Sequence, residues 1–316
     1  MKKISNYIIT ILILIFAIGL ITFSSSNVII INNSFELFIN TVFPNLFPFL
    51  IVVELLSYTF LIPFVTSKSG IIMEKLFNLP KIASYPFIMG LFSGYPVGAK
   101  IVTNLRLENK ISKYDGNRLL IFTNNPGPMF VIGSVGIGFF CNKSIGFLLL
   151  FVQLISCIIT TFCVGHFFNT KNRNDSIDFS KELSIESFGE IISTSIKNAF
   201  YTLSIVCGFI LLFSLIISML QESKIISIIF FNNKFLEYIF LGMLETTAGI
   251  KLITSLTYIS IKIKLTITSF FLSFGGISVL LQVWSIISKT DLSIKPYIIG
   301  KIFNGLISSA IILLLL

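Results

Sequence analysis

The chain has 316 residues, 54% of them apolar and 14% aromatic, including 34 phenylalanines, against only 12% charged, and its mean hydropathy is +0.94. A soluble domain of this length needs far more polar surface, so the composition places the chain among polytopic membrane proteins. The net charge of +9 does not signal nucleic acid, because the basic residues lie in short loops between apolar spans without an aromatic and basic platform.

Reading from the N-terminus, Tyr7–Phe23 (YIITILILIFAIGLITF) follows Lys2 and Lys3 and lacks a small-residue cleavage site, so residues 1–34 read as a retained transmembrane helix. Further apolar segments follow at 38–65, 83–104, 119–140 and 145–168, and then at 199–220, 225–232, 236–255, 266–288 and 297–316. The first of these opens with NTVFPNLFPF (40–49) and predicts a long scaffold helix ending near Phe64. Between the two series lies the polar stretch Asn169–Glu190, too poor in apolar residues to fold by itself. The chain thus divides into the N-terminal helix, a first repeat over 35–168, a polar cytoplasmic connector over 169–197 and a second repeat over 198–316. Cys141, Cys157, Cys163 and Cys207 have no metal-ligand spacing and read as buried thiols.

Orientation follows from the basic residues. With the N-terminus cytoplasmic and 83–104 and 236–255 drawn as hairpins that enter and leave on one side, all 23 basic residues fall inside except Lys143, Lys224, Lys234, Lys251, Lys262 and Lys264. A full crossing by 83–104 would split the basic loops 67–81 and 106–118 between opposite faces. The hairpin also explains why GLFSGYPVGAK (90–100) carries three glycines and a proline within an apolar region. A non-helical tip at membrane depth needs permissive dihedrals and survives only where protein or a polar cavity surrounds it. TNNPGP (123–128) interrupts the next span in the same way; proline kinks with packing glycines are the alternative reading there.

The second half echoes the first. GLFSGYPVGAK faces GMLETTAGIK (242–251), sharing a leading Gly and a closing Gly-x-Lys, and about 30 residues later in each copy FTNNPG (122–127) faces LSFGGIS (272–278). In the topology above the two copies run in opposite directions. The predicted fold is therefore an all-α polytopic membrane protein: an inverted repeat with two re-entrant hairpins and two broken helices, the architecture of secondary transporters.

FPNLFPF (43–49), GLFSGYPVGAK, LLIFTNNPGPMFVIGSVG (119–136), GMLETTAG and FGGISVLLQ together resemble the YlbJ-type (SpoVV) sporulation integral membrane proteins, from about residue 35 to the end. That family is similar to the nucleoside-recognition gate proteins and, more distantly, to concentrative nucleoside transporters. The resemblance implies movement of dipicolinic acid from the mother cell toward the forespore, across the outer forespore membrane. The residues by themselves leave open a transporter of nucleosides or another small polar solute, and a sporulation scaffold that does not transport.

Dipicolinate is a planar dianion, and half-helix N-termini favour carboxylates. The expected substrate contacts are Lys100, which closes the first hairpin, the amides of Asn124 and Asn125, the ring of Tyr95, and the hydroxyls of Ser93, Thr123, Thr246, Thr247 and Ser273. Gly94, Gly275 and Gly276 form the tip and break backbone beside them. Snorkelling to the interface is the alternative for Lys100. Glu245, an intramembrane carboxylate on the second hairpin, is the candidate for proton or ion coupling, with stabilisation of the tip as its alternative. Glu54 is a secondary candidate. No P-loop, HExxH, GxSxG or dinucleotide fingerprint is present, so no enzymatic activity, cofactor or metal is expected. The expected partners are a small-molecule substrate and membrane lipids, and homo-oligomerisation stays open.

Overall fold

The computed structural model describes residues 2–167 and 187–316, and among them every regular element is helical. In chain order these are α1 (Lys2–Thr22), α2 (Ser24–Leu37), a π-helical turn at Phe38–Val42, α3 (Phe43–Ser57) and α4 (Leu61–Phe77). They are followed by α5 (Ser84–Ser93), α6 (Val97–Leu107), α7 (Lys113–Thr123), a wider π-helix at Phe130–Phe139 and α8 (Lys143–Phe167). The second series comprises α9 (Phe188–Glu222), α10 (Ile225–Ile229), α11 (Lys234–Leu244), α12 (Thr246–Ser255), α13 (Ile261–Phe274), α14 (Gly276–Ile287) and α15 (Ile294–Leu315).

Among the described residues, Lys143–Cys163, Phe188–Glu222, Ile261–Ile287 and Ile294–Leu315 are each long and apolar enough to cross a membrane. Thr10–Thr22 with Ser24–Val42 form a further apolar stretch bent by 97°. Ile11, Leu12, Ile13, Leu14 and Ile15 are all more than half exposed, a surface that suits lipid rather than water. The chain is an all-α, polytopic integral membrane protein.

Both expected hairpins form. Their arms α5, α6, α11 and α12 are ten or eleven residues long, about 15 Å each and so half of a hydrocarbon core of about 30 Å. Contacts between loops show which face each hairpin enters. Arg118 donates to the carbonyls of Phe77 (2.6 Å) and Asn78 (2.9 Å), tying the end of α4 to the start of the first broken helix. Arg106 grips Asp291 through two nitrogens (2.9 and 3.1 Å), bringing the loop after α14 to the same face. Hydrogen bonds from Arg106 hold the Asp291 carboxyl below the usual carboxylate range, so this contact persists as pH falls through that range.

Helix directions follow from the order of cross-helix hydrogen bonds. Along α15, Ser293 N, Tyr297 Oη and Lys301 Nζ meet Asn117, Asn124 and Asn125 in rising order, so α7 and α15 are parallel. Asn304, Ser308 and Ser309 meet Ser273, Ser269 and Thr266 in falling order, so α13 is antiparallel to α15. The two broken helices therefore run in opposite directions, as an inverted repeat requires. Broken helix α13–α14 ends on the Arg106 face and begins on the other. There Lys264 Nζ donates to Thr254 O (2.8 Å) and ties the end of the second hairpin beside it. The hairpins enter from opposite faces.

Three segments differ from the sequence reading. The N-terminal stretch is two helices that turn at Phe23, not one helix over 1–34. The predicted scaffold helix over 38–65 ends at Ser57, and Tyr58 and Thr59 close a turn onto Leu55 and Leu56 before α4 begins. Residues 168–186 of the connector lie outside the described residues, and from Phe188 the chain is already α9. Ser187 accepts from Glu190 N while Glu190 returns to the Ser187 backbone, a reciprocal capping box that starts the helix ten residues before the predicted repeat boundary. Of the cysteines, Cys157 is buried, whereas Cys141 and Cys163 are exposed and Cys207 is half-buried; all four are free.

In a chain whose native cysteines are replaced, single cysteines at Glu108 and Lys289 are expected to react with an impermeant maleimide from one side of the membrane and one at Thr257 from the other. Labelling of positions 108 and 289 from opposite sides would refute the inverted arrangement.

Candidate functional site at the meeting point of two hairpins and two helix breaks

The first hairpin turns at Gly94, whose φ of +81° lies in the region that favours glycine. Gly90 and Gly98, one on each arm, both press against the Thr123 carbonyl, and a Cβ at either position would run into that oxygen. Gly94 in turn abuts Gly127. The glycines of GLFSGYPVGAK therefore let the hairpin close and seat it against the break in the following helix. The second hairpin repeats the device: Gly242 and Gly249 pack against each other and against the Phe271 ring.

At the second tip the turn between the arms is a single extended residue, Glu245. Its carboxylate accepts from Thr247 N (2.9 Å) and Ala248 N (2.6 Å), so Glu245 caps the N-terminus of α12 with its own charge. The half-helix N-terminus expected to receive a solute carboxylate on this hairpin is thereby occupied. The N-termini of α6 and α14 carry no side-chain cap.

The break in the first broken helix is satisfied by its asparagines. Pro126 lacks the N–H that would bond the Phe122 carbonyl in a continuous helix, and Asn125 Nδ2 replaces it at 2.6 Å, joined by the Cys157 thiol. Asn125 Oδ1 accepts from Lys301 Nζ (3.0 Å), and Asn124 Nδ2 donates to the Tyr297 hydroxyl (2.6 Å). The break in the second is made by Gly275 and Gly276, at φ +89° and +75°, with Gly276 against Thr246 and the Leu244 carbonyl.

Three of these interruptions, and the start of α14 just beyond the fourth, meet at one cavity of about 70 Å³. The first hairpin supplies Gly94 and Tyr95, the second Glu245, Thr246 and Thr247, the first break Pro126 and Gly127, and the α14 segment Ser278, Val279 and Gln282. A vestibule of about 330 Å³ shares Thr41, Val42, Phe130 and Thr247 with it and continues past Asn40 and Ser134 to Phe139. The π-helix starts at the break and ends at Phe139, so the vestibule extends toward the face opposite the Arg106–Asp291 contact.

Of the residues expected at the site, Gly94, Tyr95, Glu245, Thr246 and Thr247 line the cavity. Thr123, Asn124, Asn125, Ser273, Gly275 and Gly276 stand behind its wall as parts of the breaks, and Ser93, adjacent to the tip, is buried with no partner for its hydroxyl. Lys100 is elsewhere. It pairs with Glu54 and reaches Thr202 (3.4 Å), while Asn198 donates to the other Glu54 oxygen (3.0 Å). This polar cluster ties the first hairpin to α3 and α9. Thr41, Ser278, Gln282 and Lys301 were not singled out from the sequence; SVLLQ places Ser278 and Gln282 four apart on one helical face, which was the available signal.

Two half-length hairpins entering from opposite faces, two helices broken between them and a shared interior cavity define a helical membrane protein with a central internal site. Compared with curated proteins, the chain is 32% identical over 303 aligned residues to the sporulation integral membrane protein YlbJ of Bacillus subtilis (strain 168), a match covering 87% of this chain and 74% of the relative. The chain belongs to the YlbJ family. No family model and no solved structure matches it.

Gly98→Ala is expected to destabilise the protein by roughly 1–3 kcal/mol through the clash with Thr123. Gly133→Ala meets nothing within 4 Å and should stay within about 0.5 kcal/mol. Thermal unfolding in detergent checks both; a Gly98→Ala protein as stable as the wild type would refute the close seating of the hairpin.

Proposed function

We propose that this chain is a transporter or export channel for a small anionic solute, that it acts without enzymatic chemistry, and that the solute is dipicolinic acid moved from the mother cell toward the forespore. The observation that carries this reading is the convergence of both hairpin tips, the first helix break and the start of α14 on one cavity with an adjoining vestibule. Helix interruptions at membrane depth are unfavourable unless they are buried in protein or line a polar space, and secondary transporters place their sites at such midplane breaks. The relative's name describes an integral membrane protein of sporulation, which supports a corresponding setting here.

Tyr95 offers the cavity an aromatic face. Ser278, Gln282, Thr246 and Thr247 offer polar groups, and the uncapped N-termini of α6 and α14 favour carboxylates. At its present size the cavity is a fraction of the vestibule's volume, so in this reading passage requires a hairpin or a break to shift. The bias of basic loops makes the Arg106 face cytoplasmic, with the N-terminus on that side and the vestibule opening to the other. In this reading residues 35–168 and 198–316 act as two halves that move against each other.

Two observations favour a competing reading, a sporulation scaffold that does not transport: the small cavity and the self-capped tip at Glu245. Purified protein in proteoliposomes separates them. Transport predicts accumulation of dipicolinate that depends on a pH gradient. In this account Glu245 exchanges a proton with the cycle, so Glu245→Gln is expected to keep exchange but lose concentrative, pH-dependent uptake. An unchanged pH profile in Glu245→Gln would leave Glu245 as a cap and favour a passive channel. No movement of solute by the wild type would favour the scaffold.

A further inference from the structure

Lys301 is 1% exposed on α15, about 10 Å from the start of that helix. Its ammonium has three donors, and Asn125 Oδ1 accepts from it. Among the described residues no carboxylate lies within 4 Å of it. What faces it is uncharged or apolar: Asn125 from the break after α7, the Cys157 thiol from α8 and, on its own helix, the Tyr297 ring at 5.8 Å. The two other interior acids already named are committed, Glu54 to Lys100 and Glu245 to the amides of α12. An intramembrane lysine left without a counter-charge is unfavourable and marks a functional position.

Its place in the fold indicates which function. Asn125 is followed by Pro126 and Gly127, both in the cavity wall, so the charge is bonded to the residue that precedes that wall. In a low-dielectric interior an unneutralised cation attracts an anion strongly and is little screened by salt. We propose that Lys301 fixes the charge of the solute: it is the unneutralised cation that makes the cavity select an anion, and it holds Asn125 so that the break keeps its shape. This rests on the solute-binding reading above and adds the residue that determines its charge selectivity. Lys301 is a positioning and selectivity residue rather than part of the cavity wall.

The test uses the full chain in lipid nanodiscs and follows thermal unfolding with dipicolinate or benzoate, and with their uncharged counterparts pyridine-2,6-dicarboxamide and benzamide, at matched ionic strength. At saturating ligand an anion is expected to raise the midpoint of the wild type by about 2–4 °C, its amide counterpart not at all. Lys301→Arg should keep the shift and Lys301→Gln should lose it. An equal anion shift in wild type and Lys301→Gln, or a wild-type shift by the amides as large as by the anions, overturns the role of Lys301 while solute binding stands. The amide comparison needs no variant and holds even if Lys301→Gln fails to fold. No shift with any compound overturns the inference and the binding reading together.

Discussion

Backbone groups freed inside a hydrocarbon layer have no water to turn to, and this constraint organises the whole molecule. Among the described residues the chain is interrupted at membrane depth at Gly94, at Asn124–Pro128, at Glu245 and at Gly275–Gly276. Each interruption is satisfied by a different local device: a glycine turn buried against Gly127, an asparagine amide in place of the N–H that proline lacks, a carboxylate cap, and a pair of left-handed glycines against Thr246. Because the devices rely on one another's surfaces, the four interruptions must assemble together. The cavity is the space left at their junction.

The two halves share an element order but not a charge pattern. In the first, the hairpin is fastened from outside by the Lys100–Glu54 pair, with Asn198 and Thr202 of α9 completing the cluster. In the second, the acid sits at the tip itself and caps α12. Lys301, another buried cation, belongs to α15 but bonds the break of the other half. Thus α15 holds both asparagines of the first break, through Tyr297 and Lys301, while the same buried face further along the helix follows α13 through Asn304 and Ser308. One closing helix joins the broken helices of both halves, and movement at one break is mechanically connected to the other.

Much of this was legible in the sequence where the residue type has one physical use. Glycines in GLFSGYPVGAK announced a non-helical tip and TNNPGP a break, whereas the amides of Asn124 and Asn125, expected to meet the solute, bond Tyr297 and the Phe122 carbonyl instead. Segments governed by tertiary contacts were not legible. The bend at Phe23 falls where the apolar stretch 7–23 meets Ser24–Asn27, with no glycine or proline there to mark a turn. Ser187 and Glu190 did form a capping-box spacing, but the polar composition around them pointed to a loop. Lys100 looked like a site residue because its partner, Glu54, is 46 positions away. Lys301 looked like part of an ordinary apolar helix because Asn125 is 176 positions away.

The central claim is that a solute occupies the junction of the four interruptions. Thr247 lies in both the cavity and the vestibule. In a background lacking the native cysteines, the most direct measurement is the rate at which a small methanethiosulfonate reagent modifies Thr247→Cys, with and without dipicolinate, against the exposed loop control Thr257→Cys. The account predicts that dipicolinate slows modification at position 247 in a saturable way and leaves position 257 unchanged. Equal rates at position 247 with and without dipicolinate, at concentrations that saturate binding or transport, would contradict it.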